Sequence, residues 1–384
     1  MNHLFGYGRG LLLHKIVIVL NSSWNIINFR SGLIKALITK GFDVIAVAPE
    51  DKYAHLIKEM GCKFVPISMK AQGKNVFLDI FLLLKYIKIF YRESPDALLA
   101  FTIKPNIYAS FAARILRIPR INNISGLGAV FINPGFLTMA VKFLYKLAFK
   151  NANVVFFQNK DDFNYFIKLK ITQAEQSRLI PGSGINLKNF QYAKLIKPKN
   201  TGELRFLLIA RLLWDKGIAE YVNAAKIVKS EFPNAKFFLL GPLDKNNPSG
   251  ISSNHIIQWE KDGYIKYLGT SDKVSEIVLL SDCVVLPSYR EGIPRSLLEG
   301  AAMGRPLIAT NVAGCREVID DGLNGLICMP KNAQDLADKM MMLIKLSHEE
   351  RQFMGHEARK KVEIEFDEKI VIDNYLSAIY DSVD

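Results

Sequence analysis

The chain reads as an α/β protein made of two Rossmann-like halves. Three observations predict this. Short β-branched and aromatic runs alternate with longer stretches of helical period along nearly the whole sequence, the signature of a doubly wound parallel sheet. The alternation pauses at the polar stretch Gln191–Glu203, which holds Pro198 and Gly202, and then restarts. A length of 384 residues is also generous for one domain.

In the first half, Lys15–Leu20, Asp43–Ala48, Lys63–Pro66, Ala97–Ala100, Arg120–Asn123 and Asn153–Phe157 are expected strands. Asn28–Lys40, Asn75–Arg92 and Pro105–Leu116 are expected among the helices between them. The second half repeats the scheme with Leu204–Ala210, Lys236–Gly241, Ile265–Leu268, Cys283–Leu286, Leu307–Ala309 and Leu326–Cys328 as strands. From about Ser347 onward the pattern is helical, and the last helix, about 366–384, is expected to cross back to the first domain. Residues 1–195 then form an N-terminal domain and 203–365 a C-terminal one. Ligands of such sheets bind beyond the carboxyl ends of the strands, here expected to face a cleft between the halves.

Apolar residues make up 49% of the chain and charged ones 23%, as in an ordered globular protein. Cys62, Cys283, Cys315 and Cys328 lie far apart without a CxxC pair, which argues against a disulfide framework or zinc site and fits a reducing cytoplasm. The net charge of +13 is lopsided: residues 1–195 carry 26 Lys and Arg against 10 Asp and Glu, and the remainder 24 against 27. An anionic partner for the first half is the expectation. The opening stretch, with His14 and Lys15 interrupting its apolar run, does not read as a signal peptide. Val76–Phe90 is apolar but short for a span and contains Asp79, Lys85 and Lys88. A protein that is soluble or lies on a membrane surface is expected.

The most informative stretch is SYREGIPRSLLEGAAMGRPLIATNVAGCREVIDDGLNG, residues 288–325. Glu291 and Glu299 are separated by seven residues, with a glycine and a proline soon after the first. Pro294 suits the first turn of a helix, and Gly304 and Pro306 close it, so Glu291 falls in the approach loop and Glu299 inside the helix. Between them lie the free amides of a helix start, which suit phosphate. A loop carboxylate, an anion site and a helix carboxylate in line match a sugar, a diphosphate and a ribose: a nucleotide-sugar. Upstream, LLIARLLWDKGI places Arg211 and Lys216 just after an apolar strand. Arginine grips phosphate oxygens in pairs and lysine adds a point charge. Taken alone, these cations also read as ordinary surface charges and the two acids as a commonplace pair.

In combination, ARLLWDKG and the 288–325 stretch resemble the family 4 retaining glycosyltransferases, whose fold is two facing Rossmann-like domains (GT-B). In the first half, NSSWNIINFRSGLIKALITKGFDVIAVAP, FTIKPNIYASFAARILRIPRINNISGLGAVF and PGSGINLKNF look like the bacterial branch that builds O-antigen, capsule and lipid-linked glycoprotein sugars. The resemblance implies transfer of a hexose or N-acetylhexosamine, N-acetylgalactosamine or galactose foremost, from a UDP-sugar to an undecaprenyl-diphosphate-linked saccharide. It implies that Arg211 and Lys216 hold the diphosphate and Glu299 the ribose. Glu291, with the backbone of Gly292, Ile293 and Pro294, would hold the donor sugar. Arg295 would add to the phosphate field or point to solvent. Asn25, Lys104, Asn123, Ser125 and Gly126 are the acceptor-side candidates, from loops that include Asn21–Asn25 and Ser125–Gly128. Some relatives place a histidine near the reacting sugar; here NNISGLG has none.

There is no Asp-x-Asp and no HExxH, so a reaction without metal or cofactor is expected, the cations and helix start supplying the positive field. With no evident carboxylate nucleophile, the family implies front-face attack, the departing phosphate taking the acceptor's proton. Lys142, Lys146 and Lys150 fall four apart within FLTMAVKFLYKLAFK, and Lys85 and Lys88 lie in another apolar helix. Such helices suit anionic lipid, which predicts a cytoplasmic protein peripheral on the inner face of the cytoplasmic membrane. No nucleic-acid motif accompanies the basic half. The competing readings are a nucleotide-sugar epimerase or phosphorylase of similar fold, and a non-catalytic nucleotide-sugar or lipid-binding scaffold.

Overall fold

The computed structural model describes residues 14–69, 76–128, 131, 135–197, 203–244 and 247–383. Residues 6–10 and 198–202, which include part of the expected linker, and Asn75 lie outside the described residues.

The first sheet is built from β1 (Lys15–Val19), β2 (Asp43–Ala48), β3 (Lys63–Pro66), β4 (Ala97–Phe101), β5 (Arg120–Ile124), β6 (Val154–Phe157) and β7 (Ser177–Leu179). The second is built from β8 (Arg205–Ile209), β9 (Lys236–Leu240), β10 (Lys266–Tyr267), β11 (Cys283–Leu286), β12 (Leu307–Thr310) and β13 (Gly325–Cys328). The expected strands all form, with ends shifted by at most one residue. The sequence reading left out β7, whose three residues, Ser-Arg-Leu, are too few and too polar to show a period. The strand orders are β3-β2-β1-β4-β5-β6-β7 and β10-β9-β8-β11-β12-β13. Both orders turn at a switch point, between β1 and β4 and between β8 and β11, where doubly wound sheets bind ligands. Pairings among β1–β5 and among β8–β13 are parallel.

By contacts the chain forms two compact units. One holds Met1–Asn123, Leu144–Val155 and Asn374–Asp384; the other holds Ile124–Phe143 and Phe156–Asp373. The final helix, Glu368–Val383, therefore returns its residues from Asn374 onward to the first unit. There Tyr375 is buried, its ring 5.7 Å from that of Phe101.

Each sheet is apolar on both faces because each face is covered, which is why the strands read as unbroken apolar runs. In the second unit Phe206 and Leu208 pack with helices α7 (Ile218–Glu231) and α12 (Ala333–Lys345). Leu207, Val284 and Leu307 face the other way, against α10 (Arg295–Ala302) and α13 (His348–Glu365). A side chain at Gly300 would meet Val284 at 2.7 Å, so the glycine lets α10 lie close on β11. In the first unit Val17, Ile45 and Leu98 pack with Leu82, Tyr86 and Phe90 of α3 (Val76–Glu93).

Candidate active site

The site sits at the carboxyl ends of β8 and β11, the switch point of the second sheet. Just past the end of β8, Arg211 is 57% exposed, its guanidinium 3.8 Å from Asp244. The chain then makes one turn, Trp214–Lys216, closed by Gly217 in the left-handed region at φ 71°. That turn aims Lys216 inward, and its Nζ lies 2.5 Å from Glu291 Oε1. Both side chains are largely buried, 16% and 14% exposed. The Ser288 hydroxyl donates to the same carboxylate oxygen at 2.7 Å.

The backbone around Glu291 is clamped from several directions. The Glu291 N–H donates to Ala313 O at 3.3 Å, and Asn159 Nδ2 to Glu291 O at 3.5 Å. The Ile293 N–H donates to Gln158 Oε1 at 3.4 Å. Arg290 pairs with buried Asp162, in the first turn of α6 (Lys160–Lys168). Burial pushes the Asp162 carboxyl up from its ordinary pKa, against the pull of Arg290. Three glycines make the clamp possible. A Cβ on Gly314 (φ 83°) would fall 1.6 Å from Gly292 O, one on Gly126 (φ 115°) 2.9 Å from Gly292 N, and one on Gly292 2.2 Å from Ser125 O. Only bare backbone fits there.

Helix α10 begins next. Pro294 takes the N-cap with φ −74° and ψ 119°, one position earlier than expected, and no side chain caps the first turn. The Leu297 N–H donates to Pro294 O at 3.2 Å, which closes the first turn on its own backbone. Glu299 lies one turn in, and Arg295 Nε donates to its Oε1 at 3.2 Å. Burial raises the Glu299 carboxyl above its ordinary pKa, with Arg295 opposing. Arg295 also donates to Gly184 O at 3.4 Å and lies 5.9 Å over the Phe190 ring. It is tied into the protein, neither pointing to solvent nor standing as an isolated cation.

Arg211, Lys216, Glu291, Gly292, Ile293, Pro294, Arg295 and Glu299 thus gather in one unit, joined there by Ser125 and Gly126. Asn25, Lys104 and Asn123 belong to the first unit. Asn25 follows the Ser22 N-cap and donates to Asn21 Oδ1 at 2.6 Å. Asn123 is fully buried, its carbonyl taking a hydrogen bond from Asn106 at 2.7 Å, so its side chain offers no open surface. Lys104 is paired with Asp79 at 2.7 Å. Lys85, Lys88, Lys146 and Lys150 are exposed, whereas the Lys142 ammonium lies 5.1 Å over the Tyr165 ring. Lys150 falls beyond the end of α5 (Phe136–Ala148). Sequence reasoning missed Ser288 and Gly314, both inside the stretch it singled out, and Gln158 and Asn159, which carry no local signal.

Among the described residues, no helix is long and apolar enough to cross a membrane and no cluster of His, Cys, Asp or Glu is placed to hold a metal ion.

Two family models match the chain: "Glycosyl transferase 4-like" over residues 15–159 and "Glycosyl transferases group 1" over residues 192–361. The chain is 30% identical to the N,N'-diacetylbacillosaminyl-diphospho-undecaprenol alpha-1,3-N-acetylgalactosaminyltransferase of Campylobacter jejuni, across 94% of this chain and 96% of the relative. It is 25% identical to the capsular polysaccharide biosynthesis glycosyltransferase CapM of Staphylococcus aureus, across 88% and 90%. Among solved structures, Anabaena Alr3699/HepE in complex with UDP and glucose aligns with a TM-score of 0.76 at 17% identity, covering 95% of this chain and 98% of that one. A glycosyltransferase from Rickettsia africae aligns with a TM-score of 0.76 at 18% identity, over 96% and 98%. The chain belongs to the family 4 glycosyltransferases of GT-B fold, and it is an enzyme of that class.

Proposed function

We propose that this glycosyltransferase moves a hexose or N-acetylhexosamine, N-acetylgalactosamine or galactose, from a UDP-sugar to an undecaprenyl-diphosphate-linked saccharide, with retention at the anomeric carbon and without metal. The observation that carries this reading is the Campylobacter relative, whose name states an N-acetylgalactosaminyl transfer to an undecaprenol diphosphate, similar to this chain over nearly its whole length. The site is compatible with it. In this assignment the donor diphosphate lies over the uncapped start of α10, with Lys216 beside it and Arg211 swinging in from the surface. Glu299 accepts from the ribose hydroxyls. Glu291 and the backbone of Gly292–Pro294 hold the sugar.

The bond that breaks joins the anomeric carbon to the distal phosphate, and the electron pair leaves with that phosphate. Cations fixed before the reaction stabilise the charge as it develops. The acceptor hydroxyl attacks from the same face, and the leaving phosphate oxygen takes its proton. The acceptor is assigned to the basic N-terminal domain, and the enzyme to the cytoplasmic face of the membrane. The test is a panel of nucleotide-sugars with an undecaprenyl-diphosphate-linked acceptor in EDTA, read by mass. A one-sugar increment from a single UDP-donor is expected. UDP binding without turnover from any donor would favour the scaffold or epimerase reading.

A further inference from the structure

The first unit contains a cavity of about 660 Å³. It is lined by residues just past the ends of β2, β3 and β4 and by one side of α3. Carboxyl ends of parallel strands are where open α/β sheets take their ligands, and the volume lies in the range of small-molecule sites. Its walls are apolar: Ile67, Met69, Leu78, Phe81 and Leu82. They give way to Glu50, Ser68 and Lys85 and to the pair Lys104–Asp79, whose side chains are each 14% exposed. Asp79 accepts from Lys104 at 2.7 Å through one oxygen and from the Tyr108 hydroxyl at 2.9 Å through the other. Lys104 gives one of its three N–H groups to this carboxylate, which leaves donors beside the cavity.

The backbone leading to Lys104 is strained. Thr102, a β-branched residue, stands at φ 65°, with its buried hydroxyl unpartnered. Residues Pro105–Ala109 then wind as a single π-helical stretch. Both features cost energy and concentrate where chains carry function. The outward side of α3 adds a further feature: Phe77, Ile80, Phe81 and Leu84 are 51–75% exposed, interleaved with exposed Lys85 and Lys88.

We propose that this cavity is a binding site for the lipid end of an anionic prenyl lipid. The first isoprene units lie against Ile67, Met69, Phe81 and Leu82, and Lys85 and Lys104 donate to the phosphate oxygens. The lining holds Glu50 and Asp79 against Lys85 and Lys104, so it is neutral overall and favours an amphiphile over a bare polyanion. The exposed apolar face of α3 lets such a lipid enter from a bilayer without its chain crossing water. The inference rests on the lipid-linked acceptor reading above and assigns where that lipid is held.

The test uses the full chain without detergent or vesicles, so that membrane affinity does not enter. Farnesyl diphosphate and inorganic diphosphate are compared by equilibrium binding, on the unmodified protein and on Ser68→Trp, Phe81→Asp and Lys85→Glu. These three positions are exposed, and melting temperatures near that of the unmodified chain check that the variants fold. Farnesyl diphosphate should bind at least about tenfold more tightly than inorganic diphosphate, and each variant should weaken it by about tenfold. In transfer assays the same variants should raise KM for a short-chain prenyl-diphosphate-linked acceptor and leave UDP affinity as it was. Equal binding of the two probes, or farnesyl binding indifferent to all three substitutions, overturns the cavity assignment. An unmodified enzyme that binds farnesyl diphosphate here yet extends no lipid-linked acceptor overturns instead the reading of the reaction.

Discussion

Replacing Lys216 by methionine separates two roles that one ion pair could have. Lys216 and Glu291 are 16% and 14% exposed, so both charges are mostly withdrawn from water. Removing one partner of a fully buried pair costs about 3–5 kcal/mol. The residual exposure and the Ser288 hydrogen bond to Glu291 reduce this to about 2–3 kcal/mol for Lys216→Met. The double variant Lys216→Met, Glu291→Gln leaves no stranded charge, and the amide keeps the Ser288 bond, so at least half of that loss should return. Transfer should behave otherwise. Losing a cation that acts on the developing phosphate charge costs about 100- to 1000-fold in rate, and the second substitution should not restore it. Urea denaturation and initial rates on the four members of the cycle give both quantities. If the double variant regains transfer along with stability, or Lys216→Met stays within about tenfold of the unmodified enzyme, the lysine is scaffolding and the diphosphate assignment is wrong.

Further outcomes are expected at other positions. Gly314→Ala, whose Cβ would stand 1.6 Å from Gly292 O, should destabilise by about 1–3 kcal/mol and raise KM for the donor, measured by denaturation and by kinetics. Glu299 has its carboxyl pKa raised by burial, so the folded state binds that proton more tightly than the unfolded one and the group disfavours folding increasingly as pH rises above the ordinary carboxylate range. Glu299→Gln should therefore gain stability relative to the unmodified chain at about pH 8 and lose that advantage near pH 4, while binding UDP more weakly. Replacing Lys85 and Lys88 by glutamine should weaken sedimentation with anionic vesicles by about 2 kcal/mol, roughly thirtyfold, and added salt should erase the difference.

Much of the fold was legible because its strands are buried on both faces. Runs such as KIVIV in β1 and RFLLI in β8 have few alternative uses, and glycine, proline and polar residues mark their ends. The Glu291–Glu299 segment was legible for a related reason: a Gly-Ile-Pro break has to separate a loop from a helix. The supports of that loop were not. Gln158 and Asn159 reach Ile293 and Glu291 from more than 130 residues away, a closeness that local pattern does not encode. Arg295 illustrates a second limit. Its position at a helix start suits either the phosphate field or solvent, and spacing alone does not show the glutamate one turn on, the carbonyl and the aromatic ring that surround it. Spacing likewise does not show that Lys142 lies over the Tyr165 ring, nor that Lys150, though exposed, falls past the helix end.

The return of residues Asn374–Asp384 to the first unit sets a timetable for biosynthesis. Tyr375 fills a place beside Phe101 and near the buried guanidinium of Arg30, so the core around β4 stays open until it arrives. More than two hundred residues separate Val155, where the earlier parts of that unit end, from Asn374. At about 5–20 residues per second the wait is roughly ten to forty-five seconds. Throughout it, a basic half with an exposed apolar helix lacks the last part of its core, a state that chaperones recognise.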